Sequence, residues 1–158
     1  MANLKICKRK TILSWKLNKA KKEFWRVFSI YVRMRDKGVC FSCRKKIPDF
    51  YNKKGEVQAG YKAGQGGHFV TAKSCGLALY FHEMNVHCQC YQCNINLSGN
   101  WLEYRKKMIE VYGLKATEEI EQLKWTGNVK YSVVDYADKI EEYAEKVRKL
   151  EENYKKGE

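Results

Sequence analysis

The sequence predicts an α+β protein from three observations. An amphipathic helical pattern lies near each end of the chain, the middle is rich in glycine with short apolar runs, and two C-x-x-C pairs bracket most of that middle. At 158 residues the chain can bury one core of ordinary size with helical additions. From Trp15 to Arg35 the residues Leu17, Ala20, Phe24, Val27, Phe28, Tyr31 and Met34 recur at steps of three and four, which predicts a helix ended by Gly38. Lys16, Lys19, Lys22, Arg26 and Arg33 fall mostly on its other face, as a solvated surface or as phosphate contacts.

The stretch from Cys40 to Thr71 holds the single proline, Pro48, a lysine-rich turn at Asn52 to Gly55, and Gly60, Gly64, Gly66 and Gly67. That is loop and short-strand chemistry. The runs LALYF (Leu77 to Phe81) and NVH (Asn85 to His87) are expected to be strand-like. Helical character resumes at the second cysteine pair and runs through Trp101, Tyr104, Met108, Ile109 and Tyr112 to Gly113. A short helix is expected over Thr117 to Trp125. Ser132 and Asp135 form a capping-box pattern ahead of a seam of Tyr136, Ile140, Tyr143, Val147, Leu150 and Tyr154. Such a seam either packs on its own domain or joins two copies into a homodimer. The implied order is a basic N-terminal arm and helix (1–38), a central core (39–113) and a helical C-terminal extension (114–158).

The net charge of +13 is spread unevenly, at +10 over residues 1–35, +6 over 36–115 and −3 over 116–158. A basic front two-thirds suits a polyphosphate partner, because each lysine or arginine that pairs with a phosphate releases condensed counterions. No apolar run approaches the roughly 20 residues that span a bilayer, and the N-terminus lacks the pattern of a signal peptide. The expectation is a soluble intracellular protein with no membrane partner. Seven cysteines, four of them in close pairs, point in a reducing compartment to metal rather than disulfides.

Cys40-x-x-Cys43 and Cys90-x-x-Cys93 are two knuckles, and together they meet the demand of a tetrahedral zinc ion for four soft ligands. Cys88 makes a competing C-x-C with Cys90 and could replace one ligand. Cys7 and Cys75 have no such partner and read as ordinary thiols. A four-thiolate zinc site is closed, so its role is structural, and any catalysis belongs nearby.

Of the three histidines, His68 follows two glycines that allow close approach by a ligand, and it lies between the knuckles. An unperturbed pKa near 6.5 suits histidine to deprotonate water. The order of first knuckle, Gly-His68, Asn85, second knuckle and Asn94 resembles the zinc-stapled HNH or His-Me finger nucleases. The resemblance implies a ββα-metal core with a histidine base, a middle asparagine, and a metal-binding residue opening the helix. "GHF", "LALYF", "NVHCQCYQCN", "SGN" and "YR" narrow it to the lambda-type phage NinG (Rap) family of recombination endonucleases, across roughly Cys40 to Leu150.

That family implies a metal-dependent endodeoxyribonuclease that cleaves branched DNA, such as Holliday junctions and displacement loops, leaving 5′-phosphate and 3′-hydroxyl ends in the bacterial host cytoplasm. His68 would be the base, Asn85 would orient the hairpin, and Asn94 would hold a catalytic magnesium or manganese ion. Many of these nucleases carry an acidic metal ligand just before the histidine, where this chain has Gly67. His87, Gln65 and Glu83 are the candidates for a second ligand. Lys16, Lys19, Lys22, Arg26, Arg105, Lys106 and Lys107 are the expected phosphate contacts. The alternative is a zinc-stapled DNA-binding module without cleavage.

Overall fold

The computed structural model describes residues 4–125 and 129–156. Helices α1 (Arg9–Leu13) and α2 (Leu17–Arg35) open the chain, and α6 (Val133–Lys156) closes it. Phe24, Val27, Phe28 and Val32 of α2 are buried against Tyr136, Ala137, Ile140, Tyr143 and Ala144 of α6, with Ile12 and Phe81 completing the main core. The α6 seam thus packs within its own chain. Its capping box forms as expected: the Ser132 backbone N–H donates to Asp135 Oδ2 at 2.7 Å, and the Asp135 N–H donates to Ser132 Oγ at 3.2 Å. Arg9 adds ion pairs to Asp138 and Glu141. The N-terminal and C-terminal segments therefore share one core, and the boundaries near 38 and 114 mark order along the chain rather than separate hydrophobic units.

Between these helices lie two small antiparallel hairpins. β1 (Phe50–Tyr51) pairs with β2 (Val57–Gln58) around the lysine-rich turn, where Asn52 Oδ1 accepts the N–H groups of Lys54 and Glu56. β3 (Gln65–His68) pairs with β4 (Val86–Gln89) in the register Gln65 to Gln89, Gly67 to His87 and His68 to Val86. The run expected to be strand-like at Leu77 instead forms the single helical turn α3 (Leu77–Tyr80). A short apolar run does not distinguish strand from buried helix by periodicity. Here a helical turn sends Leu79 into one core while Leu77, Tyr80 and Phe81 pack toward the other.

α4 (Trp101–Tyr112) follows the second knuckle and ends at Gly113, whose φ of +84° is left-handed. α5 (Leu114–Gln122) with a 3₁₀ turn at Leu123–Trp125 covers the short helix expected there. A second core of Phe69, Val70, Leu79, Tyr104, Met108 and Ile120 seats α4 and α5 on the β3–β4 connection. Alternation along β3 divides the hairpin: Gly66 and His68 face α2, while Gln65 and Gly67 share the other face with His87 and Gln89.

Because Ile140 is fully buried between α2 and α6, Ile140→Ala should cost about 2–5 kcal/mol in urea unfolding. A surface seam would lose less than about 0.5 kcal/mol.

Candidate metal centre and hydrolytic site

The first knuckle is the turn of a small hairpin. Val39 bridges Lys46, the Arg44 N–H donates to the Cys40 carbonyl, and Arg44 takes a left-handed φ of +64° so that the chain reverses after Cys43. The second knuckle opens a π-type turn (Gln92–Asn96) directly after β4. The Sγ atoms of Cys40, Cys43, Cys90 and Cys93 all lie within 4.8 Å of one another, with Cys43 and Cys90 at 3.9 Å. Sulfurs on a tetrahedral zinc with bonds near 2.3 Å stand about 3.8 Å apart, so these four cysteines could hold such an ion. The Cys93 N–H reaches Cys90 Sγ and Asn100 Nδ2 reaches Cys93 Sγ, each at 3.5 Å, which is the donor shell a thiolate needs. Without a cation, burial pushes the Cys40 and Cys93 thiols up. A bound cation reverses that balance.

Cys88 does not compete for this site. It stands opposite Gly66 on the α2 face of the hairpin, and its Sγ packs on Gly64. Burial raises its pKa to about 12. Cys88 lies within β4, whereas Cys90 and Cys93 lie past its end, where the chain turns into the helical segment that carries both sulfurs to one point.

His68 ends β3 with its ring stacked on Trp25 at 4.9 Å. Its Nε2 lies 3.0 Å from the Tyr80 carbonyl oxygen, which can only accept, so Nε2 carries the proton and Nδ1 keeps its lone pair. Burial lowers the pKa from the ordinary 6.5 to about 4, and the Tyr80 carbonyl opposes the shift only in part. The ring is therefore neutral at pH 7.

Asn85, fully buried, fixes that carbonyl indirectly. Its Oδ1 accepts the Val70 N–H at 2.7 Å, and its Nδ2 donates to the carbonyls of Val70 and Leu79 at 3.2 and 3.0 Å. Both ends of the β3–β4 connection are thereby held by one amide, next to the residue that orients His68.

Asn94 lies in the π-type turn and donates through Nδ2 to Gln65 Oε1 at 2.7 Å. Gln65 is thus beside Asn94, as a second-ligand candidate should be. His87 is not. Its ring is buried against Phe41 at 3.7 Å, Nδ1 meets Arg35 and Asp36 at 2.8 and 3.2 Å, and Nε2 meets Tyr112 Oη at 3.2 Å. No ring nitrogen is left for a metal, and burial lowers its pKa. Glu83 is likewise occupied, taking the hydroxyls of Tyr31 and Tyr143 and the Lys146 ammonium near α6. These two expectations are corrected by the same cause: the core already supplies their partners.

The two glycines before His68 admit protein rather than a ligand. A Cβ on Gly66 would stand 3.0 Å from Ser29 Oγ and 3.3 Å from the Trp25 ring, and one on Gly67 would stand 1.9 Å from Gln89 Oε1.

A cleft of about 370 Å³ is lined by Asn18, Lys21, Lys22, Trp25 and Tyr80, the last two of which pack on the His68 ring, with Lys21 Nζ 4.8 Å from the Tyr80 ring. Lys22 is among the expected phosphate contacts. Lys21, Trp25 and Tyr80 carry no signal along the chain, because only packing brings α3 against α2. Lys16, just ahead of the same helix, and Lys19 on it are exposed. Arg26 is paired with Glu23, Arg105 with Glu121, Lys106 with Glu103 and Lys107 with Glu110.

Fold and site together define a knuckle protein in which four cysteines pin a β-hairpin to the helix that follows it, with a neutral histidine at the hairpin end. The family model described as Bacteriophage Lambda NinG protein matches residues 3–153, and the chain belongs to that family. The protein ninG of Salmonella phage P22 is 33% identical over 101 residues, covering 63% of this chain and 43% of that protein. The protein ninG of Escherichia phage lambda is 32% identical over the same length and shares, and that of Enterobacteria phage H19B is 42% identical over 55 residues, covering 35% of this chain and 27% of that protein. The chain thus spans less than half the length of these relatives. No solved structure matches it. No helix among the described residues is long and apolar enough to cross a membrane.

The thiol geometry has a direct test. Cys90→Ser should release the metal and destabilise the fold, whereas Cys88→Ser should retain about one zinc per chain, measured by atomic absorption on the purified proteins. Loss of metal from the Cys88 variant alone would reassign the fourth ligand.

Proposed function

We propose that this protein is a metal-dependent endodeoxyribonuclease of the HNH or His-Me finger type that cleaves branched DNA during phage recombination. The observation that carries the reading is the state of His68, neutral, with Nε2 committed to the Tyr80 carbonyl, Nδ1 keeping its lone pair, and the ring packed on Trp25 and Tyr80, two residues that line a basic cleft. The hairpin β3–β4 followed by α4, with Asn85 across the connection and Asn94 behind the second knuckle, fits a ββα-metal unit. The resemblance of the family to recombination endonucleases supplies the choice of branched substrate.

In this mechanism Nδ1 of His68 takes a proton from water as its oxygen bonds to the scissile phosphorus. The bond from phosphorus to the 3′ oxygen breaks, leaving a 5′-phosphate and a 3′-hydroxyl, with the leaving oxygen protonated from solvent. Asn85 keeps the connection, and hence the Tyr80 carbonyl, in place. Asn94 would hold magnesium or manganese, and such an ion when bound offsets charge on the phosphate. Lys21 and Lys22 in the cleft, with Lys16 and Lys19 at the N-terminal end of α2, would bind backbone phosphates, which gives affinity without reading sequence. Arg105, Lys106 and Lys107 reach phosphate by exchanging one exposed or half-exposed carboxylate partner for another anion, a change of small cost, whereas Arg26 is held by both oxygens of the largely buried Glu23 and by the Lys5 carbonyl.

The competing reading, a zinc-stapled DNA-binding module without cleavage, is favoured by Gly67 and by the metal-ligand clustering, which among the described residues is confined to the four cysteines. Incubating a labelled four-way junction with the protein, with and without magnesium, separates the two. Cleavage that requires magnesium supports the nuclease, and binding without cleavage supports the module.

His68→Ala should lower single-turnover cleavage by about 100- to 10,000-fold with DNA affinity nearly unchanged. Because the unprotonated ring is the active form, the rate should climb with pH through about 4 and stay flat where an ordinary histidine titrates, near 6.5. A limb centred at the ordinary value would mean that the base is exposed. Replacing Lys21 and Lys22 by alanine should reduce the slope of log affinity against log salt by roughly 0.9 for each duplex phosphate that the variant no longer neutralises.

A further inference from the structure

One polar atom inside this protein has no partner. Gln89, the last residue of β4, is fully buried, and its Oε1 is the single buried side-chain N or O atom among the described residues that makes no hydrogen bond. A buried amide oxygen left without a partner is destabilising, so a fold that keeps one either compensates it with a ligand or is less stable for it.

The orientation of the amide is not free. Nε2 donates to the Gly99 carbonyl at 2.7 Å and to Ser42 Oγ at 2.5 Å. The Gly99 carbonyl can only accept, so exchanging the two ends of the amide would set oxygen against oxygen. Gly99 itself is held between Ser98 and Asn100; Gly99, Ser98 and Asn100 have left-handed φ values of +93°, +48° and +46°, and the Gly99 N–H donates back to the carbonyls of Cys93 and Asn94. The loop that carries the second knuckle therefore turns so as to capture Nε2 and leave Oε1 pointing the other way.

That other way is toward β3. Oε1 stands 1.9 Å from where a Cβ of Gly67 would be, so any side chain before His68 would occupy the space this oxygen now fills. Gln89 is also the cross-strand partner of Gln65, and Gln65 takes the hydrogen bond from Asn94 Nδ2. Gln65, Gln89 and Asn94 thus form one amide-lined face next to Gly67. Asn94 donates only through Nδ2, which leaves its Oδ1, with Gln89 Oε1, as a hard oxygen donor of the kind that magnesium and manganese accept.

We propose that Gln89 Oε1 is a ligand of the same divalent ion as Asn94, supplying from β4 the oxygen that Gly67 cannot supply from β3. The inference rests on the nuclease reading for the ion itself. It adds the ligand and a property: with neutral amides in place of a carboxylate, the site carries no charge of its own against the ion. Ion binding then depends on the DNA phosphate as a further ligand, and coordination and substrate binding are coupled.

The test measures binding rather than activity. Protein carrying His68→Ala, purified with zinc, is mixed with a short DNA duplex and titrated with Mn²⁺, and free Mn²⁺ is read by electron paramagnetic resonance. Against this parent, Gln89→Leu and Asn94→Ala should each weaken Mn²⁺ binding by at least about tenfold, and Gln89→Glu should tighten it. Omitting the duplex should weaken binding in the parent. Zinc content and far-ultraviolet circular dichroism identify any variant that fails to fold, and the near-isosteric Gln89→Glu keeps the test open if the leucine variant does not. If Asn94→Ala loses Mn²⁺ while folded Gln89→Leu or Gln89→Glu binds it like the parent, the role of Gln89 is overturned and the nuclease reading stands. If the parent binds no Mn²⁺, or Asn94→Ala binds it unchanged, the metal at Asn94 is overturned, and the Gln89 ligand with it.

Discussion

The close approach of four sulfurs governs this structure. Cys40 and Cys43 follow α2, Cys90 and Cys93 follow β4, and their meeting point fixes the position of everything attached to the second knuckle. Asn94 is one residue past it. Gly99, which orients Gln89, is bonded through its N–H to the Cys93 and Asn94 carbonyls. α4 begins immediately after. A cluster of four buried or half-buried thiols stabilises little unless a cation deprotonates them, so the geometry of the amide face is tied to the charge at the knuckles.

A second constraint acts at the opposite end of the hairpin. The connection between β3 and β4 is long enough to wander, yet Asn85 bonds Val70 and Leu79 from one buried side chain. Its neighbour Tyr80 then presents a carbonyl to His68 and an aromatic edge to Trp25. The histidine is thus oriented by backbone and depressed by burial, without an acidic partner. A carboxylate there would have raised its pKa instead. The acid that the hairpin does contact, Asp36, is spent elsewhere, on Arg35, on His87 and on the Cys88 N–H.

The packing of α6 on α2, which builds the main core, also brings segments of opposite net charge together. The C-terminal third is acidic on balance and lies against the most basic third, with Arg9 meeting Asp138 and Glu141 across the pair. Neutralisation on that side leaves the uncompensated lysines, including Lys21 and Lys22, near the cleft lined by Trp25 and Tyr80.

The helices and the cysteine centre were legible along the chain, because each depends on local rules: apolar steps of three and four for α2, α4 and α6, a capping box at Ser132, and knuckle spacing for the four thiols. His68, Asn85 and Asn94 were singled out by their order, and tertiary structure gave them their surroundings. What one-dimensional pattern did not hold was competition for partners. His87 and Glu83 read as free ligands in the sequence, and the core consumes both through Tyr112, Arg35, Tyr31 and Tyr143. The run at Leu77 read as a strand, and two separate cores pulling on alternate sides made it a helical turn. Gln89 read as one polar residue in a buried strand, and its unpartnered oxygen exists only because a loop ten residues away holds the other end of its amide. Sequence by itself determined which groups are present and which neighbours they have within a turn of helix or a knuckle; the tertiary structure decided which of them are left unsatisfied, since a hydrogen bond made by one residue is unavailable to every other.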